Sequence, residues 1–464
     1  MGLDGRSLVT VDDLSNAEIE GLFSLADEMS NLMTEQSDVC RGKIMASLFF
    51  EPSTRTRLSF EAAMHRLGGR VITAVDIGAT SLAKGESIAD MARVVGSYAD
   101  IIVIRHPWEG AAKVVADYAG VPVINAGDGG HEHPTQTLLD LYTLVKERGT
   151  IKGLKIGLWG DLKYGRTVHS LAYALARFGA TILFHPAPGL EIPEHVARKL
   201  TREYKGELKK SDAMNHAAKQ GLFAVDAIYV TPTSPHQLAM MPDISFEVEL
   251  EKGVDALYIT RAQKERATTT EGQASDKAYP VVDRRMLKGK EFRETLVMHP
   301  LPRVDELAYD MDSDRRSKYF KQAALGVPVR MALISLLLGS KTLDVRQDSE
   351  TFIRKANYPR YDRGYGVRCG NEKCVTVNEG KYIKPEFEIV SSQPLTLRCI
   401  YCDHEVFPKY VASSEWHDGT IERKRYHSAN SHWARRIKPE NLIVFESESE
   451  AQCYGFKPSK YAGG

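Results

Sequence analysis

The chain has 464 residues, 43% of them hydrophobic and 26% charged, which is the composition of globular domains with apolar cores. Lys plus Arg and Asp plus Glu both number 61, so the zero net charge gives no bulk attraction to nucleic acid or membrane, and any anion site must be local. No apolar run reaches about eighteen residues and no signal peptide opens the chain, so we expect no transmembrane helix and a cytoplasmic location.

Strands and helices alternate through the first three quarters of the chain. Short runs rich in Val and Ile predict buried strands, and longer amphipathic runs predict helices. Predicted strands lie at residues 42–51, 70–76, 100–106 and 121–127, then at 154–161, 180–187, 225–231 and 254–261. Predicted helices lie at residues 55–69, 88–99, 133–149, 165–179 and 318–340. This alternation predicts an α/β protein with two doubly wound parallel-sheet domains in series.

The alternation ends at Ser340, and the remainder is polar or rich in cysteine. The predicted division of the chain is 1–145 (first α/β domain), 146–320 (second α/β domain), 321–340 (a helix returning to the first domain), 341–365 (linker), 366–410 (a small β-rich module with four cysteines) and 411–464 (a small tail module).

An anion site is predicted where the first strand gives way to a helix. Ser53, Thr54, Arg55 and Thr56 stand at that helix start, where free backbone N–H groups and the helix dipole favour negative charge. Hydroxyl and guanidinium groups beside them suit a phosphate. In open α/β sheets, ligands bind at the carboxyl ends of the strands, which is where this segment lies.

Further candidates stand at equivalent places along the first domain. Arg105 ends a predicted strand, and His133 and Gln136 lie one turn apart at the start of a helix, where they suit a carbonyl oxygen and an amide. Ser81 and Lys84 belong to a polar loop, SLAKGES.

In the second domain, Arg166 and Arg261 each have a planar guanidinium group that can bind one carboxylate through two hydrogen bonds, so the pair suits a dicarboxylate. Gln263 follows Arg261, and the segment HPLPR contains Pro300 and Leu301. Residues 160–167 nearly match a P-loop but have Arg in place of its Lys, so a nucleotide site is not supported.

Four motifs, STRTRLSFE, SLAKGES, VIRHP and HPTQTLLDL, together resemble the carbamoyltransferase family in order and spacing. TRAQKER and HPLPR are similar to the aspartate enzymes of that family, whereas its ornithine enzymes carry HCLP. The resemblance covers residues 5–340. It implies transfer of a carbamoyl group from carbamoyl phosphate to L-aspartate in pyrimidine biosynthesis, with no organic cofactor and no covalent intermediate.

The resemblance also implies the role of each candidate. Carbamoyl phosphate would bind to Ser53, Thr54, Arg55, Thr56, Arg105, His133, Gln136, Ser81, Lys84, Pro300 and Leu301, and aspartate to Lys84, Arg166, Arg261 and Gln263. The catalytic set would be Arg55, Thr56, Lys84, Arg105 and His133. Because Ser81 and Lys84 come from a neighbouring subunit in the family, we expect a homotrimer, which could stack further.

Three rival functions remain open at this point. One is a carbamoyltransferase for another amine, which a comparison of aspartate with ornithine would reveal. The second is a non-catalytic scaffold, against which every expected catalytic position is occupied. The third is a nucleic-acid-binding protein, which rests on the cysteine module and the basic tail and which a salt-dependent gel shift would test.

The four clustered cysteines predict a structural zinc site. Cys369 and Cys374 form one close pair and Cys399 and Cys402 another, which suits tetrahedral coordination by four thiolates. The surrounding sequence resembles the zinc domain of the family's regulatory chain, without the nucleotide-binding domain that precedes it there. We therefore expect one Zn²⁺ per chain, no need for a separate regulatory chain and no response to ATP or CTP.

Two segments carry weaker signals. The tail weakly resembles the metal-binding module of Ada-type repair proteins, but Ser431 and Ser459 stand where that pattern has cysteines. Its basic residues, from Arg423 to Arg436, favour a solvated or subunit-contacting surface over nucleic acid. The stretch of residues 207–252 is longer and more charged than the corresponding stretch usually is in this family.

Overall fold

The structure is a computed structural model of the full chain. It describes residues 2–34, 37–76, 84–163, 165–187, 189–204, 208–209, 226–231, 254–261, 281–343, 357–363, 366–415 and 424–459.

The first domain is a four-stranded parallel sheet covered by helices. Its strands run in the order β2-β1-β3-β4. Its elements are α1 (Asn16–Asn31), β1 (Ile44–Phe49), α2 (Thr54–Arg66), β2 (Arg70–Val75), α3 (Ile88–Gly96), β3 (Ile101–His106), α4 (Ala111–Tyr118), β4 (Val123–Asp128) and α5 (Pro134–Arg148).

The second domain repeats this architecture with six parallel strands. They run in the order β10-β9-β8-β5-β6-β7. The elements are β5 (Lys155–Gly160), α6 (Arg166–Arg177), β6 (Thr181–Pro186), α7 (Glu194–Glu203), β7 (Leu208–Lys209), β8 (Ala227–Thr231), β9 (Ala256–Ile259) and β10 (Leu296–Met298). Two doubly wound α/β domains were predicted, and this fold class is confirmed.

A long apolar helix, α8 (Tyr319–Leu337), returns to the first domain and packs against α1, α2 and α5. Among the described residues it is the one helix that is long and apolar enough to cross a membrane, although 67% of its most apolar window is buried inside the protein. Burial against three neighbouring helices accounts for its composition.

Local sequence signals explain where the helices begin and end. Ser15 caps α1, because its side chain accepts from the amide of Glu18 while the Glu18 carboxylate accepts from the amide of Ser15. Helix α5 begins with Pro134 and ends at Gly149, which has a φ of +84°.

The C-terminal quarter forms two small β modules. The metal module contains β11 (Arg360–Tyr361), α9 (Val375–Asn378), β12 (Phe387–Ser392), β13 (Leu395–Cys399) and β14 (Glu405–Val406) in one antiparallel sheet with α9 beside it. The tail module contains β15 (Tyr410–Ser413), β16 (Arg425–Ser428), β17 (Leu442–Phe445), α10 (Glu448–Cys453) and β18 (Lys457–Pro458), with strand order β17-β15-β16-β18.

The described end of the predicted linker, residues 341–365, contains a short strand. Strand β11 lies within it and pairs with β12, so its last described residues belong to the metal module. Tyr361 is buried against that sheet, whereas a linker was expected from the polar, proline-containing sequence around it. The signal was misleading because a two-residue edge strand has no detectable periodicity.

Candidate active site and metal centre

A cavity of about 410 Å³ lies between the two domains. Its walls come from the residues after β1, from β3, from the starts of α5 and α6, from the segments after β9 and β10, and from α8. Parallel strands place their carboxyl ends at one edge of a sheet, so both domains present loops and helix starts to the same space.

The start of α2 forms one wall of the cavity. Ser53 is the N-cap residue, but its side chain makes no capping hydrogen bond, and the first turn of α2 contains no acidic residue. Ser53, Thr54, Arg55 and Thr56 all line the cavity. A helix start with hydroxyl groups, arginine and no carboxylate is therefore suited to bind an anion.

Arg105 lies deeper in the same wall. It is buried at the end of β3, where its guanidinium donates to the carbonyl of Ala126 and pairs with Glu51 at 3.1 Å. Gly127 makes room for it, because a Cβ at that position would lie 2.7 Å from Nη1 of Arg105. The left-handed backbone of Gly127, with a φ of +117°, favours glycine for a second reason.

His133 and Gln136 open α5 above the sheet. His133 is the buried N-cap residue, and its backbone N–H donates to Ser170 of the second domain at 3.3 Å. The Gln136 amide donates from Nε2 to Asp140 at 2.8 Å. Both side chains line the cavity, next to the helix start of α2.

The opposite wall comes from the second domain. Arg261 follows β9 and lines the same cavity as Arg55. Burial and then the positive charge of Arg261 lower the pKa of Arg55, so guanidinium groups from both domains contribute positive charge to the cavity. Repulsion of this kind is relieved when an anion binds between them.

Pro300 and Leu301 occupy a tightly held segment after β10. The amide of Leu301 donates to Nδ1 of His299 at 2.8 Å, so Nε2 carries the imidazole proton and donates to Glu306, also at 2.8 Å. Leu301 has a φ of +54°, which turns the chain sharply at the cavity. Arg303, from the same motif, instead forms an ion pair with Asp312 and contacts the ring of Tyr309.

The remaining predicted residues lie elsewhere or beyond the described part of the chain. Lys84 is exposed and does not line the cavity of its own chain. Ser81 and Gln263 lie outside the described residues, as does the side chain of Arg166, whose backbone starts α6.

Two lining residues of α8 were not predicted. Arg330 is 4% exposed, donates to Ser59 at 3.0 Å and lies over the ring of Phe60. Burial lowers its pKa to about 10. Gln322 lies on the same side of α8. Neither had a sequence signal that it would face the cavity, because Arg330 stands alone among apolar residues of α8 and Gln322 follows Lys321.

Comparisons with known proteins agree with this geometry. Residues 6–146 match the carbamoyl-phosphate-binding domain of aspartate/ornithine carbamoyltransferases, and residues 233–337 match their aspartate/ornithine-binding domain. The aspartate carbamoyltransferase catalytic subunit of Thermococcus kodakarensis is 45% identical over 342 residues, which are 73% of this chain and 99% of that protein. The chain belongs to the aspartate carbamoyltransferase family.

Solved structures of this family superpose on the α/β part of the chain. The catalytic subunit of Methanocaldococcus jannaschii aspartate transcarbamoylase is 41% identical, with a TM-score of 0.58 and coverage of 72% of this chain and 99% of that one. Aspartate transcarbamoylase from Trypanosoma cruzi, in complex with carbamoyl phosphate and aspartate, is 36% identical, with a TM-score of 0.58 and coverage of 72% and 98%. The chain is thus a transferase with the carbamoyltransferase fold.

Residues 363–411 match the metal-binding domain of the aspartate carbamoyltransferase regulatory chain. The four cysteines, Cys369, Cys374, Cys399 and Cys402, are all buried, with their sulfur atoms within 4.8 Å of one another. Their two closest pairs lie 3.4 and 3.9 Å apart. Thiolates around a tetrahedral zinc ion stand about 3.8 Å apart, so the donor set fits a metal of this kind.

The metal module docks on its own chain and contacts both α/β domains. On the first domain, the backbone of Glu109 makes two hydrogen bonds to the metal module: its N–H donates to the carbonyl of Lys373 at 2.9 Å, and its carbonyl accepts from the N–H of Val375 at 2.8 Å. Gly110 permits this approach, because a Cβ there would lie 2.5 Å from Cβ of Tyr401. The Glu379 carboxylate accepts from the amide of Ile88 at the start of α3.

Helix α7 provides the contact with the second domain. Lys199 pairs with Asp403 at 2.6 Å and Arg198 pairs with Glu405 at 2.5 Å, both between α7 and the metal module. Arg398 of the module also pairs with Glu203 of α7. Ion pairs of this density in a largely buried interface define one docking geometry.

The tail module packs its own small core around Tyr426 and Phe445. Ser431 and Ser459, which stand where the Ada-type pattern has cysteines, donate backbone hydrogen bonds to Ser428 and Tyr426. Within the described parts of the chain, the four-cysteine cluster is the one group of side chains placed to hold a metal ion.

Proposed function

We propose that this chain transfers the carbamoyl group of carbamoyl phosphate to the amine of L-aspartate, giving N-carbamoyl-L-aspartate and phosphate in pyrimidine biosynthesis. The observation that carries the proposal is the cavity that Arg55 and Arg261 line from two different domains beside the helix start of α2. This arrangement suits a phosphorylated donor on one side and a dicarboxylate acceptor on the other.

Each lining residue takes a role that matches its position. Ser53 and Thr54 bind the phosphate with the backbone at the start of α2, and Arg55 neutralises its charge. Thr56, Arg105 and His133 donate to the carbonyl oxygen of the carbamoyl group. Each such donor can contribute about 3–4 kcal/mol where negative charge develops on that oxygen.

The second domain holds the acceptor. Arg166, Arg261 and Gln263 bind the two carboxylates of aspartate, while the carbonyls of Pro300 and Leu301 accept from the carbamoyl nitrogen. The neutral amine attacks the carbonyl carbon, the bond from that carbon to the phosphate oxygen breaks, and the departing phosphate takes up the amine proton. Orienting both substrates can supply roughly 7–11 kcal/mol without a nucleophilic side chain.

The acceptor is tested by comparing L-aspartate with L-ornithine in one carbamoylation assay. We expect activity with aspartate alone, and a fall of about 100-fold or more in kcat/KM for Arg261→Met. Arg293→Met is the matched control, because that side chain is 81% exposed and distant from the cavity. Carbamoylation of ornithine would support the rival amine, and no activity with either would support the scaffold.

We further propose that the active site is completed by a second copy of the chain in a homotrimer. Lys84 is exposed on its own chain, in the segment between β2 and α3. The edge strand β2 presents Ile72 and Val75 to solvent, with exposures of 42% and 41%, and α2 presents Leu58, with 51%. Exposed apolar groups on an edge strand and on the helix beside it favour a covered interface.

Mixing two inactive variants tests this sharing. Lys84→Ala chains retain Arg55, and Arg55→Ala chains retain Lys84, so a mixed trimer would contain an intact site. Activity recovered after subunit exchange, together with a trimer mass in solution, is the expected result. Proven exchange without recovery would refute the shared site.

The metal is proposed to be one structural Zn²⁺ per chain, held by the four cysteines. Metal analysis of the purified protein should give about one zinc per chain. Cys402→Ser should lower this content and increase the protease sensitivity of residues 366–410, a readout that is independent of activity. Initial rates should not respond to ATP or CTP, and a clear response would refute the expectation drawn from the lack of a nucleotide-binding domain.

A further inference from the structure

Asp140 is a buried carboxylate on which three hydrogen-bond donors converge beside the cavity. It lies one turn after Gln136 on α5 and is 2% exposed. Its Oδ1 accepts from Nε2 of Gln136 and from Nε2 of Gln322, both at 2.8 Å, and from the hydroxyl of Tyr258 at 3.0 Å. The donors come from α5, from α8 and from β9 of the second domain.

The first consequence concerns the amide of Gln136. A carboxylate only accepts, so the end of the amide that meets Asp140 must be its NH₂ group. The carbonyl oxygen Oε1 can then accept a hydrogen bond from a ligand in the cavity that Gln136 lines. A carbamoyl group has an NH₂ where an acetyl group has a methyl, so an acceptor at this point distinguishes the two.

The second consequence concerns the opposite wall. Gln322 is oriented by the same carboxylate, and its Oε1 accepts from the backbone N–H of His299 at 3.1 Å. His299 begins the segment whose Pro300 and Leu301 line the cavity. One carboxylate therefore orients the Gln136 amide on one wall and, through Gln322, anchors the backbone of the other.

We infer that Asp140 is a positioning residue that makes the site select a carbamoyl nitrogen, because it fixes the acceptor groups of Gln136 and of the Pro300–Leu301 segment toward the same point. The inference rests on the proposed function. It assigns to Asp140 specificity for the donor substrate, without contact between Asp140 and the reacting atoms.

The surroundings of Asp140 make ionisation of this carboxyl group unfavourable. Burial raises its pKa to about 7, while the three hydrogen bonds and the charge of Arg330 act in the opposite direction. The rings of Tyr258 and Tyr229, 4.4 Å apart and stacked, are also close. The groups that donate to Asp140 are two amides and a hydroxyl, all of them neutral, so among the described residues no cation is hydrogen-bonded to this buried acid, which favours a role in the site.

The test compares carbamoyl phosphate with acetyl phosphate, its methyl analogue, in the wild-type enzyme and two variants. Asp140→Leu removes every acceptor, whereas Asp140→Asn retains one oxygen on which both glutamine amides can converge. We expect Asp140→Leu to reduce the preference for carbamoyl phosphate, measured as its KM against the inhibition constant of acetyl phosphate, by about tenfold or more. Asp140→Asn should retain most of that preference.

Inorganic phosphate serves as the internal control. It binds at the start of α2, so its inhibition constant should stay within about twofold in both variants. A purely structural role for Asp140 would weaken phosphate, acetyl phosphate and carbamoyl phosphate together, and that result would overturn the inference. So would an unchanged preference in Asp140→Leu.

Gln322→Met provides a second variant in case Asp140→Leu does not fold. It removes the amide that links Asp140 to His299 while keeping a side chain of similar size, and it leaves the Gln136 contact intact. A smaller but measurable loss of preference is expected, and no loss would overturn the link through Gln322. A wild-type protein that binds phosphate but transfers no carbamoyl group would instead refute the proposed function, and this inference with it.

Discussion

The ion pair between Lys199 and Asp403 should hold the metal module on the second domain. The Lys199 side chain is 7% exposed and lies 2.6 Å from Asp403 and 3.3 Å from Asp12, so Lys199→Met would leave two partly or fully buried carboxylates short of positive charge. Removing one partner of a buried pair costs about 3–5 kcal/mol. Because Asp403 is 18% exposed and also lies near Arg398, the expected cost is the lower figure, about 3 kcal/mol.

Hydrogen exchange measures this cost through undocking of the whole metal module. The amide of Val375 donates to Glu109 across the interface with the first domain, so its exchange reports the undocked state, in which the contacts with both domains are lost. A loss of about 3 kcal/mol should accelerate exchange of Val375 about 100-fold in Lys199→Met. Lys288→Met is the matched control, because Lys288 is exposed.

A double variant separates the ion pair from general damage. Asp403 has a φ of +58°, which asparagine tolerates, so Lys199→Met combined with Asp403→Asn removes both charges without backbone strain. Exchange should slow again relative to Lys199→Met alone, because one unpaired carboxylate has been removed. Unchanged exchange at Val375 in a folded Lys199→Met protein would show that this pair does not hold the module.

Three further predictions concern the active site. Gly127→Ala should lower kcat/KM about 100-fold by displacing Arg105. Gly120→Ala, also at a positive φ (+71°) but with open space around it, should have little effect on rate. Burial raises the pKa of Asp140 to about 7, so the folded protein binds a proton that the unfolded chain releases at lower pH. The free energy of unfolding of the wild type should therefore fall relative to that of Asp140→Asn, by roughly 1.4 kcal/mol per pH unit, as pH rises to about 7. Above that pH the difference should stay constant. Denaturant titration at several pH values checks this, and a stability difference independent of pH would contradict it. Glu306→Gln should raise the KM for carbamoyl phosphate about tenfold by weakening the charge-assisted hydrogen bond to its buried histidine partner, and an unchanged KM in steady-state kinetics would contradict that role.

Much of the α/β fold follows from local sequence. Strands β1 (IMASLF) and β3 (IIVIRH) are short, largely apolar runs buried on both faces, and the helix α5 that follows β4 has its own start signal in Pro134. The cavity residues at strand ends were predictable for the same reason, since the carboxyl edge of a parallel sheet brings Arg55, Arg105 and His133 together.

The contribution of α8 to the site was not predictable in this way. Arg330 and Gln322 lie on a helix that follows α5 by almost two hundred residues. The sequence of an apolar helix does not show which of its side chains will face a cavity. The register of that helix against α5 is a tertiary property, set by packing. Gly326 reflects it, because a Cβ there would lie 3.4 Å from Cδ2 of Leu139 on α5.

The position of the metal module on the α/β domains could not be predicted from the sequence either. Its contacts with α7 depend on the charges of Lys199 and Arg202, which on an isolated helix would be interpreted as a solvated face. Only the docked arrangement shows that they are paired.

Because the metal module is covalently joined to the chain on which it docks, its binding is a first-order process. A short tether typically produces an effective concentration in the millimolar range. Contacts equivalent to a dissociation constant of about 1 mM, or roughly 4 kcal/mol, would therefore keep half of the modules docked at any dilution. Two separate chains at micromolar concentration would need about 4 kcal/mol more for the same occupancy, so occupancy of this interface should not depend on how much protein is present.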